Sequence, residues 1–464
     1  MAVLGILLSL GLLMFMAYRG FSVIFFAPVF AILAAIFSGM AIMPTYTEIF
    51  LPNLANYVKV YFPFFLLGAV FGKVMEESGA AKAIAKGIVN KLGKKQAMLS
   101  VVLSAAVLTY GGVSLFVVAF AVYPFAASIF KEADIPKRLV PATIALGAFT
   151  FTMDALPGTP QIQNSIPMKF FNTDLYAAPI FGTLGAIMVL VGGIAYLEWR
   201  KRTAQAAGEG YGTDHKNEPE VVEDGNLPNP LLATLPLISV LVVTLVLQKI
   251  VFPNWNITSW VTQAPYNIVK TGVVGTMNNW ALMIALVVGI VIALGINPAR
   301  MKGNLAKALN AGAIGSLLAV MNTASEVGFG NVIKSLPGFQ TIAHALMGIN
   351  GGGSPLLSEA VTVNVLSGVT GSASGGMSIA LDTFAKTYLD WATRANIDPQ
   401  LLHRVASMAS GGMDTLPHNG AVITLLGIAG LTHKQSYKDI FAITLLKTGT
   451  VFILILLQGV FHFV

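Results

Sequence analysis

The sequence predicts an all-α polytopic membrane protein built from two inverted-topology repeats, with about ten spanning helices, two re-entrant hairpins and two interrupted helices. Three observations carry that reading. With 55% hydrophobic residues against 11% charged and a mean hydropathy of +0.74, the composition lies outside that of soluble domains. Met153-Asp154-Ala155-Leu156-Pro157 returns as Met413-Asp414-Thr415-Leu416-Pro417, its aspartates at 154 and 414, 260 positions apart. Basic clusters flank a segment too short to cross a bilayer twice, so it must enter and return.

Apolar runs at about 2–17, 21–43 and 53–75 open the first repeat, residues 1–200, and read as ordinary membrane helices. The first lacks a basic leader and a small-residue cleavage site, which makes it a retained span rather than a signal peptide. Lys73, Lys82, Lys86, Lys91, Lys94 and Lys95 follow the third run, then Lys131, Lys137 and Arg138, then Arg200-Lys201-Arg202. All three clusters belong on the cytoplasmic side. The chain at about 96–130 is therefore a hairpin of two half-length helices, turning at Tyr110-Gly111-Gly112-Val113-Ser114 where glycine permits the reversal. An interrupted helix at about 139–165 breaks at Pro157, which removes a backbone donor and clashes with the preceding turn. A run at 179–199 closes the repeat. Residues 201–230, with Gly208, Glu209, Gly210, His215, Lys216, Asn217 and Glu218, read as a soluble cytoplasmic linker.

The second repeat, 231–464, has runs at about 231–252, 272–296 and 439–463. Shifting the first hairpin tip by 260 lands on Thr370-Gly371-Ser372-Ala373-Ser374, inside a hairpin at about 353–390, and the second interrupted helix falls at about 400–430. A third match, offset by 258, pairs Phe71-Gly72-Lys73-Val74 with Phe329-Gly330-Asn331-Val332. Five spans per half place the halves in opposite orientation, with the second hairpin entering from outside. The sparse charge around Lys334, Asp390 and Arg394 agrees.

Four breaks converging near mid-membrane form a binding site by design. Helix N-termini and free tip amides suit an anion, while unwound carbonyls and carboxylates suit a cation. The chain has no cysteine, which removes disulfides, thiolate metal sites and thiol nucleophiles.

The chain resembles the gluconate permease (GntP) family of the ion transporter superfamily. The likeness is carried by Gly68-x-x-x-Gly72 with Glu77-Ser78-Gly79-Ala80, the Tyr110-Gly111-Gly112 tip, Met153 to Gln161, Ser325-Glu326-Val327-Gly328, and Ser410 to Gly420, and it covers nearly the whole chain. The resemblance implies proton-coupled uptake of gluconate or a related hydroxy acid such as 3-hydroxybutyrate, by a mobile hairpin domain moving against a dimerising scaffold in the bacterial inner (cell) membrane. The implied partners are a small anionic hydroxy acid, a coupling H+ or Na+, the lipid bilayer and a second copy in a homodimer; no cofactor, nucleic acid or enzymatic activity is implied. The few polar side chains at the tips lean towards the shorter acid.

For the coupling ion or proton the candidates are Asp154, Asp414, His418, Glu326 and Glu359. Intramembrane ionisable groups are costly and point to function, yet either aspartate can equally cap the half-helix after its break. The first-repeat counterpart of His418 is Gly158, so the repeats differ there in a titratable group. That inequality makes the second copy the first place to seek the proton. For the substrate the candidates are Gly111, Gly112, Ser114, Thr159, Gln161, Asn164, Ser372, Ser374, Gly375 and Asn419, although glycine and serine are also ordinary turn residues. Lys447 snorkels or faces a protein cavity, and Lys169 is interfacial. Sodium-coupled symport, an anion channel and an intramembrane aspartyl protease are the alternatives. The protease fits poorly, because its aspartate follows Gly-x-Gly whereas here each precedes x-Leu-Pro.

Overall fold

The computed structural model describes residues 2–19, 21–113, 115–213, 215–218, 227–255, 261–263, 273–339, 341, 345, 354–370, 372–417 and 419–464, and among them the only regular secondary structure is helical. The first half contains α1 (Ala2–Tyr18), α2 (Val23–Phe37), α3 (Ile42–Glu77), the short amphipathic α4 (Ala80–Leu92), a hairpin of α5 (Ala97–Tyr110) and α6 (Leu115–Glu132), the interrupted series α7 (Val140–Ala148), α8 (Phe151–Asp154), α9 (Ile162–Ser165) and α10 (Met168–Phe171), and α11 (Pro179–Ala206). The second half contains α12 (Pro230–Asn254), α13 (Val273–Ile296), α14 (Pro298–Ser335), a hairpin of α15 (Pro355–Thr370) and α16 (Ala373–Arg394), the interrupted pair α17 (Pro399–Gly411) and α18 (Gly420–Ala429), and α19 (His433–Phe461). Among the described residues six helices are long and apolar enough to cross a membrane.

Equivalent helices run in opposite directions. In α11 and α19, Ile180 N–H donates to the Val464 carbonyl (3.1 Å) at one end, while at the other Arg200 Nε meets Asp439 Oδ1 (2.6 Å). Between them a Cβ at Gly185 would lie 2.9 Å from Leu454 and one at Gly192 3.0 Å from Leu446. α3 and α14 are likewise antiparallel, with Gly312 against Val70 and Gly328 against Phe50. Small residues permit this approach, which in lipid substitutes dispersion contact for the missing hydrophobic drive. Inverted topology is thus visible directly in the packing.

The apolar runs of the sequence do not include α14, the longest helix among the described residues. Its composition of Gly, Ala, Asn and Lys gives a hydropathy of only 1.2, below that of the other five spans, while it packs small residues such as Gly312 and Gly328 against α3. The linker also differs from the expected soluble segment. α11 continues to Ala206, and residues 207–213 and 215–218 dock on the basic face. Tyr211 is buried, its N–H donating to Asp134 (2.8 Å) and its hydroxyl to Glu218 (3.0 Å). Lys137 donates to the Lys216 carbonyl (2.8 Å) and pairs with Glu218 (2.9 Å). Tyr123 donates to the Asn217 carbonyl (2.8 Å), and the Asn217 amide to the Gly427 carbonyl (2.9 Å) at the end of α18. Arg138 grips Glu209 through two N–H groups and Asp439 through a third, and its hydrogen bonds hold the Glu209 carboxyl below the ordinary carboxylate range.

Candidate functional site

The first tip and the first break close on one another. Tyr110, last residue of α5, donates its hydroxyl to the Pro157 carbonyl (2.7 Å), and Gln161 donates to the carbonyls of Thr109 (2.7 Å) and Val113 (3.3 Å). Gly112 turns the chain at φ 95° with Pro160 against it, a conformation that costs glycine little. Thr159 donates to the Thr152 carbonyl (2.6 Å). Asn164 donates to the carbonyls of Thr159 and Leu175 (2.9 Å each), and its own oxygen accepts from Arg404 (2.8 Å). Gly111, Gly112, Thr159, Gln161 and Asn164 therefore sit together, and the polar side chains among them are engaged within the protein. Ser114 lies outside the described residues.

At this break the unwound carbonyls, expected to suit a cation, meet one of the protein's own, Arg404. Fully buried, it donates to the carbonyls of Asp154 (3.0 Å), Leu175 (3.2 Å) and Ala177 (2.7 Å). Its planar fork of five N–H donors suits several acceptors at once, and each carbonyl left unmet at this depth would cost several kcal/mol. His403, beside it, lies 2.6 Å from the Thr173 hydroxyl and 3.0 Å from Asn164 Oδ1. Both residues escape a motif search because their counterparts are Thr143 and Ile144. The available signal is a charged residue inside an apolar interrupted helix.

Asp154 reaches a cation of the second repeat. Its Oδ2 accepts from Lys447 Nζ, which also lies 3.4 Å from the Phe149 carbonyl. Gly411 packs against this pair, and a Cβ there would collide with both groups. Lys447 is 1% exposed, so it faces the protein interior rather than snorkelling, as a counter-charge. Lys169 sits 3.9 Å from Asp382, over the Phe170 ring.

The second tip and break are arranged differently. Asp414 accepts from Gln163 (2.8 Å) and, at 3.4 Å, from the Ala373 N–H and the Asn419 amide. Ala373 is the first residue of α16, which places this carboxylate at a helix N-terminus. Ser372 caps that helix by accepting the Gly375 N–H (3.1 Å), with the Ser374 hydroxyl 3.4 Å away. Across from the turn, Glu326 of α14 brings its carboxylate into hydrogen-bond contact with Ser372. Its Oε2 is buried without a partner among the described residues, 2.6 Å from where a Cβ at Gly375 would stand. Tyr57 Oη, Gln163 Oε1, Ser325 Oγ and Ser378 Oγ are also buried with no hydrogen-bond partner among the described residues.

This second tip unites Asp414, Glu326, Ser372, Ser374, Gly375 and Asn419. Glu359 sits along α15 instead, fully buried with neither oxygen partnered among the described residues. His418 lies outside the described residues. Gln163, which bridges the two breaks, is absent from the sequence candidates, although it is polar where its counterpart Ile423 is apolar. Among the described residues no group of three or more His, Cys, Asp or Glu could hold a metal ion. A helix N-terminus and neutral donors facing two carboxylates can hold an anion only together with a neutralising cation.

The chain is similar to known transporters over most of its length. It is 52% identical over 465 residues to an uncharacterised transporter of Bacillus subtilis (strain 168), YxjC, covering 98% of each chain. It is 29% identical over 183 residues to an uncharacterised transporter of Haemophilus influenzae, covering 39% of this chain and 41% of that one. The crystal structure of the Alcanivorax borkumensis YdaH transporter shares its fold at 15% identity, with a TM-score of 0.53 over 88% of this chain and 86% of that one. The description of GntP family permeases matches residues 1–460, so this protein belongs to the GntP permease family.

Proposed function

We propose that this permease is a secondary active importer of a small monovalent hydroxycarboxylate, of the gluconate or 3-hydroxybutyrate type, driven by protons across the bacterial cell membrane. The observation that carries the proposal is the second tip, where the N-terminus of α16 and the amides of Gln163 and Asn419 face Asp414 with Glu326 opposite. The substrate carboxylate takes the positive N-terminal end of α16 at the 372–375 turn, where Asp414 and Ser372 accept the Ala373 and Gly375 N–H groups, and its hydroxyl takes the neutral side chains around it. Ser372, Ser374, Gly375 and Asn419 form the substrate set at this tip; Gly111, Gly112, Gln161, Thr159 and Asn164 shape the opposite wall. An anion beside two carboxylates adds repulsion that a co-bound proton relieves, which favours symport over passive flow.

The two hairpins and interrupted helices form the moving body, and α3, α12, α13 and α14 form the scaffold, working as an elevator in a homodimer. The close fits of α3 on α14 and of α16 on the 367 region, where Gly376 lies against the Ser367 backbone, support two bodies that are each tight internally. Sodium coupling is the second reading, favoured by the oxygen-only donors Glu326, Asp414 and Ser372.

Uptake of labelled 3-hydroxybutyrate into proteoliposomes tests this, with gluconate and other hydroxy acids as competitors. Concentrative uptake should follow an inward proton gradient, collapse with a protonophore and show stimulated exchange. Uptake that follows a sodium gradient and ignores pH would overturn proton coupling. Lack of exchange stimulation would indicate a channel.

A further inference from the structure

Four carboxylates lie at or near the breaks, and they are not equally provided for. Asp154 has Lys447. Asp414 has the Gln163, Ala373 and Asn419 donors and lies within electrostatic range of Lys447. Glu359 lies within the α15 arm, away from the turn at 372–375. Asp154 Oδ1 and both Glu359 oxygens are unpartnered among the described residues too, but Glu326 combines an unpartnered Oε2 with a place across the seam from the 372–375 turn, one hydroxyl contact, no cation beside it among the described residues and the charge of Asp414 nearby. It is 6% exposed.

We infer that Glu326 Oε2 is the binding site of the coupling proton, and that its protonation makes the hairpin of α15 and α16 competent to receive the anion. The inference rests on the proton-driven reading given above. As a carboxylate, Oε2 is an acceptor left without a donor among the described residues, the contact of the group with the turn being that of Ser372, and a substrate carboxylate arriving there would meet like charge. With a proton it becomes a donor pointing at the place the substrate carboxylate takes. Proton and anion then raise each other's affinity by the same factor, as linkage requires. The one bond that forms and breaks is the O–H bond at Oε2, its proton taken from water on the side of entry and returned to water on release, so one proton enters with one acid and leaves with it.

The surroundings leave Glu326 without an internal counter-ion among the described residues. α3 presents Tyr57, 3% exposed, with its hydroxyl towards Ser374; Glu48 in the first part of α3 is exposed. The turn after α17 presents Asp414. α16 presents Ser374 and, further along, Asp382 with Lys169 beside it. α2 and α13 carry no acidic, basic, histidine or tyrosine residue. The counterpart of Glu326 at the 258 offset is Gly68, around which a Cβ would meet nothing within 4 Å, so the first repeat has no such group. Gly375 is required for the approach, because a Cβ would take the space of Oε2.

The test is Glu326→Gln in proteoliposomes, read by two assays. With one proton per acid, a gradient of 1 pH unit sustains about tenfold accumulation in the wild type. E326Q should carry out exchange yet lose accumulation, its ratio falling to about one, and should no longer move protons with substrate in a pH-dye assay. Accumulation by E326Q equal to the wild type overturns the inference alone. A wild-type protein that ignores the pH gradient defeats the proton reading and this inference together. Should E326Q lose exchange as well, Glu326→Asp decides: retained substrate-linked proton flux supports the assignment, and its absence in folded protein overturns it.

Discussion

Asp154 and Asp414 occupy equivalent places in the two repeats and meet different surroundings. Replacing Asp154 with Asn leaves Lys447 buried without its counter-charge, which costs about 3–5 kcal/mol. The D154N protein should therefore melt well below the wild type in detergent, while D154N with Lys447→Met should recover most of the loss. Equal melting of D154N and wild type would refute the pairing. Asp414→Asn removes an acceptor whose three donors are neutral amides, so we expect a folded protein with uptake reduced to background; normal uptake would reduce Asp414 to a cap. The sequence revealed both aspartates through their shared motif, and left Lys447 either snorkelling or facing a protein cavity. It did not reveal the partnership, because a contact 293 positions apart leaves no local pattern. Arg404 was hidden for the same reason: its acceptors are backbone carbonyls, which have no sequence identity.

At the scale of elements, the hairpins were legible because a glycine tip between half-length apolar arms has few other uses in a bilayer. α14 was not, because a helix that packs on protein needs small residues rather than greasy ones. The docked linker was misjudged from polarity alone, since its polar groups are spent on the ends of α6, α7 and α18. One consequence is pH-dependent. The folded-state carboxyl of Glu209 titrates below its ordinary value of 4.5 through its hydrogen bonds with Arg138. The stabilisation from this contact is therefore present above that value and lost as pH falls through the folded one. Because Glu209 is largely solvent-exposed, the effect is modest and weakens with salt. Limited proteolysis between residues 207 and 218 should accelerate at pH 4 relative to pH 7, and Glu209→Gln should remove that difference; a cleavage rate flat with pH in the wild type would refute the contact.

At the scale of the whole molecule, the repeat explains the architecture and its violations locate the chemistry. The first break is closed by Tyr110, Gln161 and two cations borrowed from the second half, although Asp154 Oδ1 stays unpartnered among the described residues; the second break has unpartnered atoms at Glu326 and Gln163 among those residues and takes neutral donors on Asp414. The inequality after each proline, Gly158-Thr159-Pro160 against 418–420, hinted at this imbalance. Its sources, at 163, 326, 404 and 447, lie apart from the motif. The cross-half contacts also predict that removing α19 destabilises the first half: a chain ending at residue 432 should expose the 139–178 region to protease, and unchanged protection would argue against the coupling.

These contacts impose an order on synthesis. Asp154 is made 293 residues before Lys447, so at the usual elongation rate it waits on the order of 15 to 60 s for its partner. During that interval the first half sits in the membrane with an uncovered acid and, until residue 404 emerges, a set of unmet carbonyls. The polar pairing of the first half is therefore completed only when residues 404 and 447 of the second half are in place.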